Sequence, residues 1–217
     1  MKVSLITATY NSELTIKSCL DSISGQTYDV IEHVIIDGDS TDQTLSIIKE
    51  YKSVNPNMVV LSEPDNGIYD ALNKGLNLVT GDIVGFVHSD DVLGSSQVIN
   101  LIVKEFKDQN LDGVYGDLKY VDIADVSKTK RYWKSSVFTP SKLKNGWMPP
   151  HPTLFLRKEI YAKYGIFNTN LKIAADYEFV LRIFCDLSLR FTYIPVVLVL
   201  MREGGESNKT IKNIIHK

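Results

Sequence analysis

The sequence has few cysteines and no long hydrophobic run. Its two cysteines, Cys19 and Cys185, are too few and too far apart to indicate a disulfide framework or a zinc cluster. An apolar run at residues 193–201 is much shorter than the roughly 20 residues that cross a bilayer, and residues 1–13 lack the pattern of a secretory signal. We therefore expect a protein of a reducing compartment, the cytoplasm, with no membrane span.

A large excess of one charge is also missing. The chain carries 24 basic and 26 acidic residues, so its formal net charge is −2. Its lysines and arginines form no block of the kind that tracks a phosphate backbone, which disfavours a nucleic-acid partner. A length of 217 residues suits one sizeable α/β domain. We expect residues 1–217 to form that single domain.

Short β-branched runs alternate with segments of helical period in the first part of the chain. The predicted strands are "KVSLITA", "VIEHVIID", "MVVLSE" and "DIVGFVH", and the predicted helices between them cover residues 13–24, 42–53 and 68–79. This order predicts an α/β fold with a mainly parallel central sheet and flanking helices. Residues 1–92 are the expected nucleotide-binding half, and the less regular residues 93–217 predict a mixed second half.

Carboxylates collect where the predicted strands end. They are Asp37, Asp39, Asp65, Asp90 and Asp91. Because the carboxyl ends of parallel strands lie on one edge of a sheet, these charges would converge there and destabilise the fold unless a cation binds. Carboxylate oxygens without cysteine ligands favour a hard divalent ion, Mn²⁺ or Mg²⁺. The alternative for polar residues in these loops, such as Asn11, Ser12 and Asp42, is that they only cap helices.

A divalent ion of this kind indicates a phosphorylated ligand. Such sites usually take one or two protein carboxylates and complete their coordination with water and substrate phosphates, which points to a nucleotide diphosphate. The sequence has neither a G-x-x-x-x-G-K-[ST] loop nor a G-x-G-x-x-G loop after its first strand, so the metal would have to hold the phosphates. His88, shortly before the last carboxylate pair, fits a packed or hydrogen-bonded imidazole better than a metal ligand.

Several segments together resemble one family. They are "SLITATYNSE", "VIIDGDSTDQT", "SEPDNGIYDALNKG", "GFVHSDD", "PPHPTLFLRKEIYAKYGIFN" and "IAADYEFVLRI". In this order, over about residues 2–207, the chain resembles a family 2 glycosyltransferase of the GT-A fold, in particular the bacterial group that builds colanic-acid-type exopolysaccharides, capsules and O-antigens. The resemblance implies an inverting, metal-dependent transfer of a hexose from a nucleotide-diphosphate sugar, with a UDP-sugar favoured, to a glycan or lipid-linked acceptor. It also implies that the protein acts at the inner face of the cytoplasmic membrane.

The resemblance assigns the donor site to loops of the first half. The donor-binding residues that it implies are Thr7, Thr9, Tyr10, Asp37, Asp65, Asn66, Lys74 and Asp91. Among them, Asp37 would hydrogen-bond the base, Thr7, Thr9 and Tyr10 would line the base and ribose, and Lys74 would lie near a phosphate. "HSDD" stands at the D-x-D position of the family, which makes Asp90 the expected ligand of Mn²⁺ or Mg²⁺ and places Asp91 beside it. His88 replaces the first Asp of that motif.

The resemblance assigns the catalytic base to "AADYEF" in the second half. Asp176 would accept the proton of the acceptor hydroxyl, although the Glu that commonly precedes it is Ala175 here. Glu178 is the alternative carboxylate, and His151 is expected on the acceptor side. Asp176 could instead only stabilise a helix start through the helix dipole. The loop "REGGESN" would close over the diphosphate as a lid.

Two other classes of protein stay open from the sequence. A glycoside hydrolase also needs two carboxylates, but it has no use for a nucleotide pocket or a metal. A non-catalytic module that binds a carbohydrate or a sugar nucleotide could keep the same fold without turnover, and Ala175 next to the expected base is compatible with it. Binding of a sugar nucleotide separates the hydrolase from the other two.

Overall fold

The computed structural model describes residues 1–108 and 110–204, and a single sheet forms the centre of that part. Its strands are β1 Val3–Thr9, β2 Ile31–Asp37, β3 Met58–Ser62, β4 Ile83–Phe86, β5 Asp91–Leu93, β6 Gly113–Val121, β7 Thr129–Trp133, β8 Phe155–Arg157 and β9 Phe191–Arg202. The strand order is β3-β2-β1-β4-β8-β6-β9-β5, and β7 pairs with β6 outside this path.

The two halves of the sheet differ in strand direction. Strands β1 to β4 pair in parallel, as the alternation of runs predicts. β8 then runs antiparallel to both β4 and β6, and β5 and β7 are also antiparallel to their neighbours. The long pair of β6 and β9 is parallel again. The expected parallel first half and mixed second half are therefore both present.

Helices cover both faces of this sheet. They are α1 Ile16–Ser24, α2 Thr44–Val54, α3 Ile68–Leu78, α4 Val98–Asp108, α5 Pro140–Leu143, α6 Lys158–Tyr164 and α7 Ala175–Phe184, with a 3₁₀ turn at His151–Thr153. The first two helices begin two or three residues later than predicted because loop residues before them form turns. Within residues 1–108 and 110–204, no helix has both the length and the apolar character that a bilayer crossing requires.

The pleat of β1 explains how the sheet is buried on both sides. Successive side chains of a strand point to opposite faces. Ile6 packs into an apolar cluster with α3, α6 and α7, whereas Leu5 packs into a second cluster with α1 and α4. Ile48 of α2 completes the second side against β2. The structure is thus a helix–sheet–helix sandwich, with its loops at the two ends of the strands.

One buried carboxylate ties together the amino ends of the first strands. Glu32 is 4% exposed and accepts hydrogen bonds from Lys2 Nζ at 2.7 Å, Ser4 Oγ at 2.5 Å and Thr80 Oγ1 at 2.6 Å. Burial raises its pKa, but these hydrogen bonds together outweigh burial and lower the pKa from 4.5 to about 2. This network lies at the end of the sheet opposite to the carboxylate rim.

The depressed pKa of Glu32 makes part of the stability dependent on pH. Because the folded-state pKa lies below the unfolded value, the stabilisation is complete above pH 4.5 and is lost as the pH falls toward about 2. Denaturant unfolding between pH 2 and 7 should therefore show a steeper loss of unfolding free energy in the wild type than in Glu32→Gln. Parallel curves for the two proteins across this window would contradict the assignment.

Candidate active site

The carboxyl ends of the first strands meet at one edge, as expected. Thr9 at the end of β1 pairs with Asp37 of β2, and Asp37 pairs with Ser62 of β3. The loops that follow also touch, since the hydroxyls of Ser12 and Ser89 lie 2.9 Å apart. This edge carries the loops after β1, β2, β3 and β4, and we call it the carboxylate rim.

Asp37 is fully buried and is satisfied within the protein. It accepts hydrogen bonds from the backbone N–H of Ser40 at 3.0 Å, from the Ser40 hydroxyl and from Ser62 Oγ at 2.8 Å. These bonds join the loop after β2 to the end of β3. Because the carboxylate has no exposed surface, the predicted contact with a base would require one of the two serines to release it.

The predicted residues of β1 differ strongly in exposure. Thr7 is fully buried, and its hydroxyl donates to the carbonyl of Val87 at 2.7 Å and lies 2.9 Å from His33 Nε2. It has no surface that could line a ligand, so its role in this structure is to join β1 to neighbouring strands. Thr9 is 5% exposed and its hydroxyl has no hydrogen-bond partner, whereas Tyr10 is 61% exposed at the rim.

Gly38 lies where three of the rim loops come together. A Cβ atom at this position would lie 2.6 Å from Asp65 Oδ2 and 3.4 Å from Cδ2 of the Tyr10 ring. The other oxygen of Asp65 accepts the N–H of Gly67 at 2.8 Å. The absence of a side chain at Gly38 therefore allows Asp65 and Tyr10 to approach each other. This brings together two of the residues that were predicted to bind the donor.

Lys74 and Asn66 are engaged within the loop after β3. The ammonium group of Lys74 lies 2.9 Å from Glu63 Oε1 and 3.7 Å from Asp70 Oδ2, and it donates to the carbonyl of Pro64 at 2.8 Å. The hydrogen bond to Glu63 raises the pKa of Lys74 above its ordinary value. The backbone N–H of Asn66 donates to Asp70. Lys74 therefore anchors this loop, and its proximity to a phosphate stays a prediction.

Asp90 and Asp91 are adjacent in sequence but face different surroundings. Asp90 lies partly exposed in the turn after β4, which is closed by a 2.9 Å hydrogen bond from the N–H of Asp91 to the carbonyl of His88. Asp91 begins β5 and is 1% exposed, and neither of its carboxylate oxygens has a hydrogen-bond partner. Burial raises its pKa well above the ordinary value, the charge of Asp90 adds to this, and Arg202 opposes it.

Arg202 supports this turn, and the sequence did not indicate this role. From the end of β9 its guanidinium donates to the carbonyl of Asp90 at 2.6 Å, the carbonyl of Ile123 at 3.1 Å and Ser18 Oγ at 2.9 Å. It is 7% exposed. A basic residue directly after an apolar strand was the available signal, but its partners are distant in sequence. The loop "REGGESN" begins here, and its residues from Gly205 onward lie outside the described residues.

Removing the guanidinium should therefore loosen the turn that carries Asp90. Arg202→Met leaves the carbonyls of Asp90 and Ile123 without donors, and we expect a loss of about 1–3 kcal/mol in unfolding free energy. Arg190→Met, at the opposite end of β9 and exposed, is the matched control and should stay within about 0.5 kcal/mol of wild type. Equal stability of the two variants in denaturant titrations would contradict this role.

The imidazole of His88 lies partly buried in the loop after β4. Its Nδ1 is buried and has no hydrogen-bond partner. Burial lowers the pKa of His88, while the charges of Asp90 and Asp176 oppose that shift. The ring is thus favoured in its neutral form, which keeps a lone pair available. Of the two alternatives expected for His88, a packed or a hydrogen-bonded imidazole, the buried and unpartnered Nδ1 fits the packed one.

The donors at this turn fit a divalent ion that is completed by its substrate. The described residues contain no group of three or more His, Cys, Asp or Glu side chains arranged to hold a metal alone. A Mg²⁺-type site needs only one or two protein ligands, because water and phosphate oxygens fill the other positions. The partly exposed carboxylate of Asp90 and the unpartnered Nδ1 of His88 meet that requirement. The carboxylate oxygens of Asp91 are buried and unpartnered in the same way as Nδ1 of His88.

Asp176 comes from the second half of the chain and contacts the first half through α3. It lies in the first turn of α7, after Ala174 in a left-handed conformation with φ 71°. The hydroxyl of Tyr69 donates to Asp176 Oδ1 at 2.9 Å. His151 stacks on Phe86 with ring centroids 5.5 Å apart. Burial lowers the pKa of His151 to about 4, the charge of Asp176 opposes this shift, and His88 adds to it.

Glu178 does not share this environment. Arg182, one turn along α7, donates to Glu178 Oε1 at 3.0 Å and also to Oε2. The same guanidinium donates to the carbonyl of Tyr164 at 2.7 Å, so the ion pair fixes α7 against the end of α6. With both of its oxygens engaged, Glu178 is a poor alternative base. Asp176 is the carboxylate whose charge opposes the lowering of the pKa of both His88 and His151.

The sequence of this chain matches one family over most of its length. Residues 4–165 match the family model described as Glycosyl transferase family 2. A PGL/p-HBAD biosynthesis glycosyltransferase of Mycobacterium bovis (strain BCG / Pasteur 1173P2) is 29% identical over 210 residues, which cover 96% of this chain and 79% of that protein.

Two solved structures are similar to this chain in fold. S. aureus TarS 1–349, in complex with UDP-GlcNAc, has a TM-score of 0.80 at 24% identity, covering 97% of this chain and 61% of that one. The mannosyltransferase PcManGT from Pyrobaculum calidifontis, in complex with GDP-Man and Mn²⁺, has a TM-score of 0.70 at 22% identity, covering 99% of this chain and 61% of that one. This chain spans less than two thirds of either. The likeness confirms the GT-A-like α/β fold, and the family match shows that the chain belongs to glycosyl transferase family 2.

Proposed function

We propose that this protein is an inverting, metal-dependent glycosyltransferase that moves a hexose from a nucleotide-diphosphate sugar to a hydroxyl group of a glycan or lipid-linked acceptor. The observation that carries the proposal is the position of Asp176. Its carboxylate, from the second half of the chain, accepts a hydrogen bond at 2.9 Å from the hydroxyl of Tyr69, in the helix that follows the rim loop after β3. In this proposal Asp176 is the proton acceptor and the turn that carries Asp90 binds the metal.

The donor is proposed to bind on the carboxylate rim. Tyr10 is the exposed aromatic side chain there, and Asp65 lies beside it at Gly38. An aromatic ring and a carboxylate suit the base and the ribose hydroxyls of a nucleotide. Asp37 and Thr9, which pair across β2 and β1, are buried and would contribute after a local rearrangement. A UDP-sugar is the favoured donor, which is supported by the UDP-GlcNAc in the TarS structure.

Asp90, with Nδ1 of His88, is proposed to hold Mn²⁺ or Mg²⁺ together with the donor diphosphate. The Mn²⁺ in the PcManGT structure supports this choice. A bound divalent ion supplies charge neutralisation for a departing diphosphate. The guanidinium of Arg202 donates to the backbone carbonyl of Asp90 and so fixes the turn that carries the Asp90 side chain.

Asp176 is proposed as the general base. The acceptor oxygen forms a bond to the anomeric carbon while the bond from that carbon to the phosphate oxygen breaks, and the acceptor proton passes to Asp176. The electron pair of the broken bond stays on the nucleoside diphosphate. Because attack comes from the face opposite to the leaving group, an α-linked donor gives a β-linked product. His151, which stacks on Phe86, is proposed to lie on the acceptor side.

The biological setting is also part of the proposal. The resemblance of the sequence motifs to the group that builds exopolysaccharides, capsules and O-antigens favours synthesis of a surface polysaccharide. The acceptor would then be a glycan on a lipid carrier, used at the cytoplasmic face of the membrane. Residues 1–217 would act as one domain, with the donor half in residues 1–92 and the acceptor half in residues 93–217.

Release of the nucleoside diphosphate tests this function. The protein is incubated with Mn²⁺, a panel of UDP-, GDP- and dTDP-sugars, and simple alkyl or aryl glycosides as acceptors. We expect release of one diphosphate, a glycosylated product by mass spectrometry, and loss of both in EDTA. A protein that releases sugar from a glycoside without any nucleotide would instead be a hydrolase, and binding without release would favour the non-catalytic module.

A further inference from the structure

The carboxylate of Asp176 is held on one side only. The hydroxyl of Tyr69, in the first turn of α3, donates to Oδ1 at 2.9 Å across 107 positions of the sequence. Within residues 1–108 and 110–204, no group donates a hydrogen bond to Oδ2. The two oxygens therefore differ, because one is fixed by the protein and the other is free to accept a proton.

Tyr69 is itself held in place by the packing of α3. The side-chain amide of Asn73, one turn later, donates to the carbonyl of Phe167 at 2.9 Å and accepts its N–H at 3.0 Å. The rings of Tyr69 and Phe167 lie 5.7 Å apart. A Cβ atom at Gly75 would lie 2.5 Å from Cγ2 of Ile6, so α3 lies very close to β1. The hydroxyl of Tyr69 thus comes from a rigid element.

The hydroxyl of Tyr69 stays protonated under neutral conditions. Burial raises its pKa to about 12, and the negative charge of Asp176 adds to the shift, while the backbone N–H groups of Asp176 and Ala174 oppose it. Tyr69 therefore donates to Asp176 throughout the neutral range and does not compete with it as a base.

The residue before Asp176 offers no polar support. Ala175 is fully buried in the apolar cluster beneath α7 and has no hydrogen-bonding side chain. The hydroxyl group of Tyr69 is the side-chain donor that sets the direction of the carboxylate. A base that must meet an acceptor hydroxyl needs a fixed orientation, since small misplacements of reacting groups cost large factors in rate.

We propose that Tyr69 is the positioning residue for Asp176, which directs Oδ2 toward the acceptor by holding Oδ1. This inference rests on the proposed function. In the reaction the acceptor proton goes to Oδ2, and Tyr69 keeps its own proton throughout. The role concerns turnover, because the side chain of Tyr69 donates to Asp176, the proposed general base, and packs on Phe167.

Kinetics of Tyr69→Phe test the role. The substitution keeps the ring and its packing on Phe167 but removes the donor. We expect kcat to fall roughly 10- to 100-fold, while KM for the nucleotide sugar stays within about twofold. Tyr164→Phe is the matched control, because the hydroxyl of Tyr164 also donates to a carboxylate, that of Asp186, away from the site. An unchanged kcat in Tyr69→Phe with an active wild type would overturn the inference and leave the proposed function intact.

A second measurement tests the hydrogen bond without any need for turnover. Thermal unfolding is compared for Tyr69→Phe, Asp176→Ala and the double variant. If the Tyr69 hydroxyl and the Asp176 carboxylate are coupled, as we expect, Tyr69→Phe lowers Tm less in the Asp176→Ala background than in the wild type. Equal losses in both backgrounds would overturn the inference even for an inactive preparation. If the losses of Tm show coupling but the wild type transfers no sugar, the result would count against the proposed function and therefore against this role of Tyr69.

Discussion

Asp176→Asn is expected to lower the rate of sugar transfer by about 10²- to 10⁴-fold, the usual contribution of a general base. The substitution keeps the size of the side chain and an oxygen that accepts the hydrogen bond from Tyr69, but it removes the group that accepts a proton. Affinity for the nucleotide diphosphate should change little, because Asp176 belongs to α7 and not to the loops of the carboxylate rim. Steady-state kinetics with the donor found in the release assay measure the first effect, and calorimetry measures the second.

Glu178→Gln is the matched control for Asp176→Asn. Both residues lie in the first turn of α7, but Glu178 is engaged by Arg182. We expect Glu178→Gln to retain most of the transfer rate and to lose some stability, because the ion pair with Arg182 is broken. A wild-type rate for Asp176→Asn, or a larger loss of rate in Glu178→Gln, would show that Asp176 is not the base.

Asp90→Ala is expected to abolish the effect of the metal on nucleotide binding. In the wild type, Mn²⁺ should strengthen binding of the nucleoside diphosphate, because the cation joins the phosphates to the protein. Loss of a residue that only supports a metal ligand typically lowers metal affinity by roughly 10- to 100-fold. Loss of the ligand itself should lower metal affinity by at least as much. Calorimetric titrations of Asp90→Ala with Mn²⁺ and with EDTA should therefore give the same weak affinity.

Asp39→Asn is the control for the charge that Asp90→Ala removes. Asp39 lies on the same rim and is exposed, with a left-handed φ of 66° that asparagine tolerates well. Asp39→Asn removes one negative charge without removing a proposed ligand, so Mn²⁺ should still strengthen nucleotide binding in this variant. A metal effect that survives in Asp90→Ala, or disappears in Asp39→Asn, would contradict the assignment of Asp90.

The sequence was sufficient for the architecture of the first half. Apolar runs of strand length, separated by helical periods, predict parallel β1 to β4, because a right-handed crossover leaves little choice of arrangement. The same reasoning placed the loops that contain Asp37, Asp65 and Asp90 on one edge. The direction of β8, antiparallel between β4 and β6, was not predictable because short strands after irregular loops carry no signal of their partner.

The orientation of individual side chains could not be predicted from residue type. Thr7 and Asp37 have polar groups at strand ends, which suggests ligand contact, but both are fully buried. Burial at these positions depends on which face of the strand a neighbouring loop covers. The partner of Asp90, Arg202, is 112 positions away, and contacts of this length follow from tertiary packing and not from local pattern.

The departures from the family motif acquire a physical meaning in the structure. His88, in place of an aspartate, carries a buried Nδ1 that has no hydrogen-bond partner. Ala175, in place of a glutamate, leaves the support of Asp176 to Tyr69 of another helix. Neither consequence follows from the sequence, because each depends on an atom from another part of the fold.

Calorimetric titration of the wild-type protein with UDP, with GDP and dTDP as alternatives, tests the central claim most directly. The claim is that the carboxylate rim binds a nucleoside diphosphate through a divalent ion. Our account predicts saturable binding of one diphosphate in Mn²⁺ that weakens at least about tenfold in EDTA. No binding of any diphosphate in either condition would contradict it.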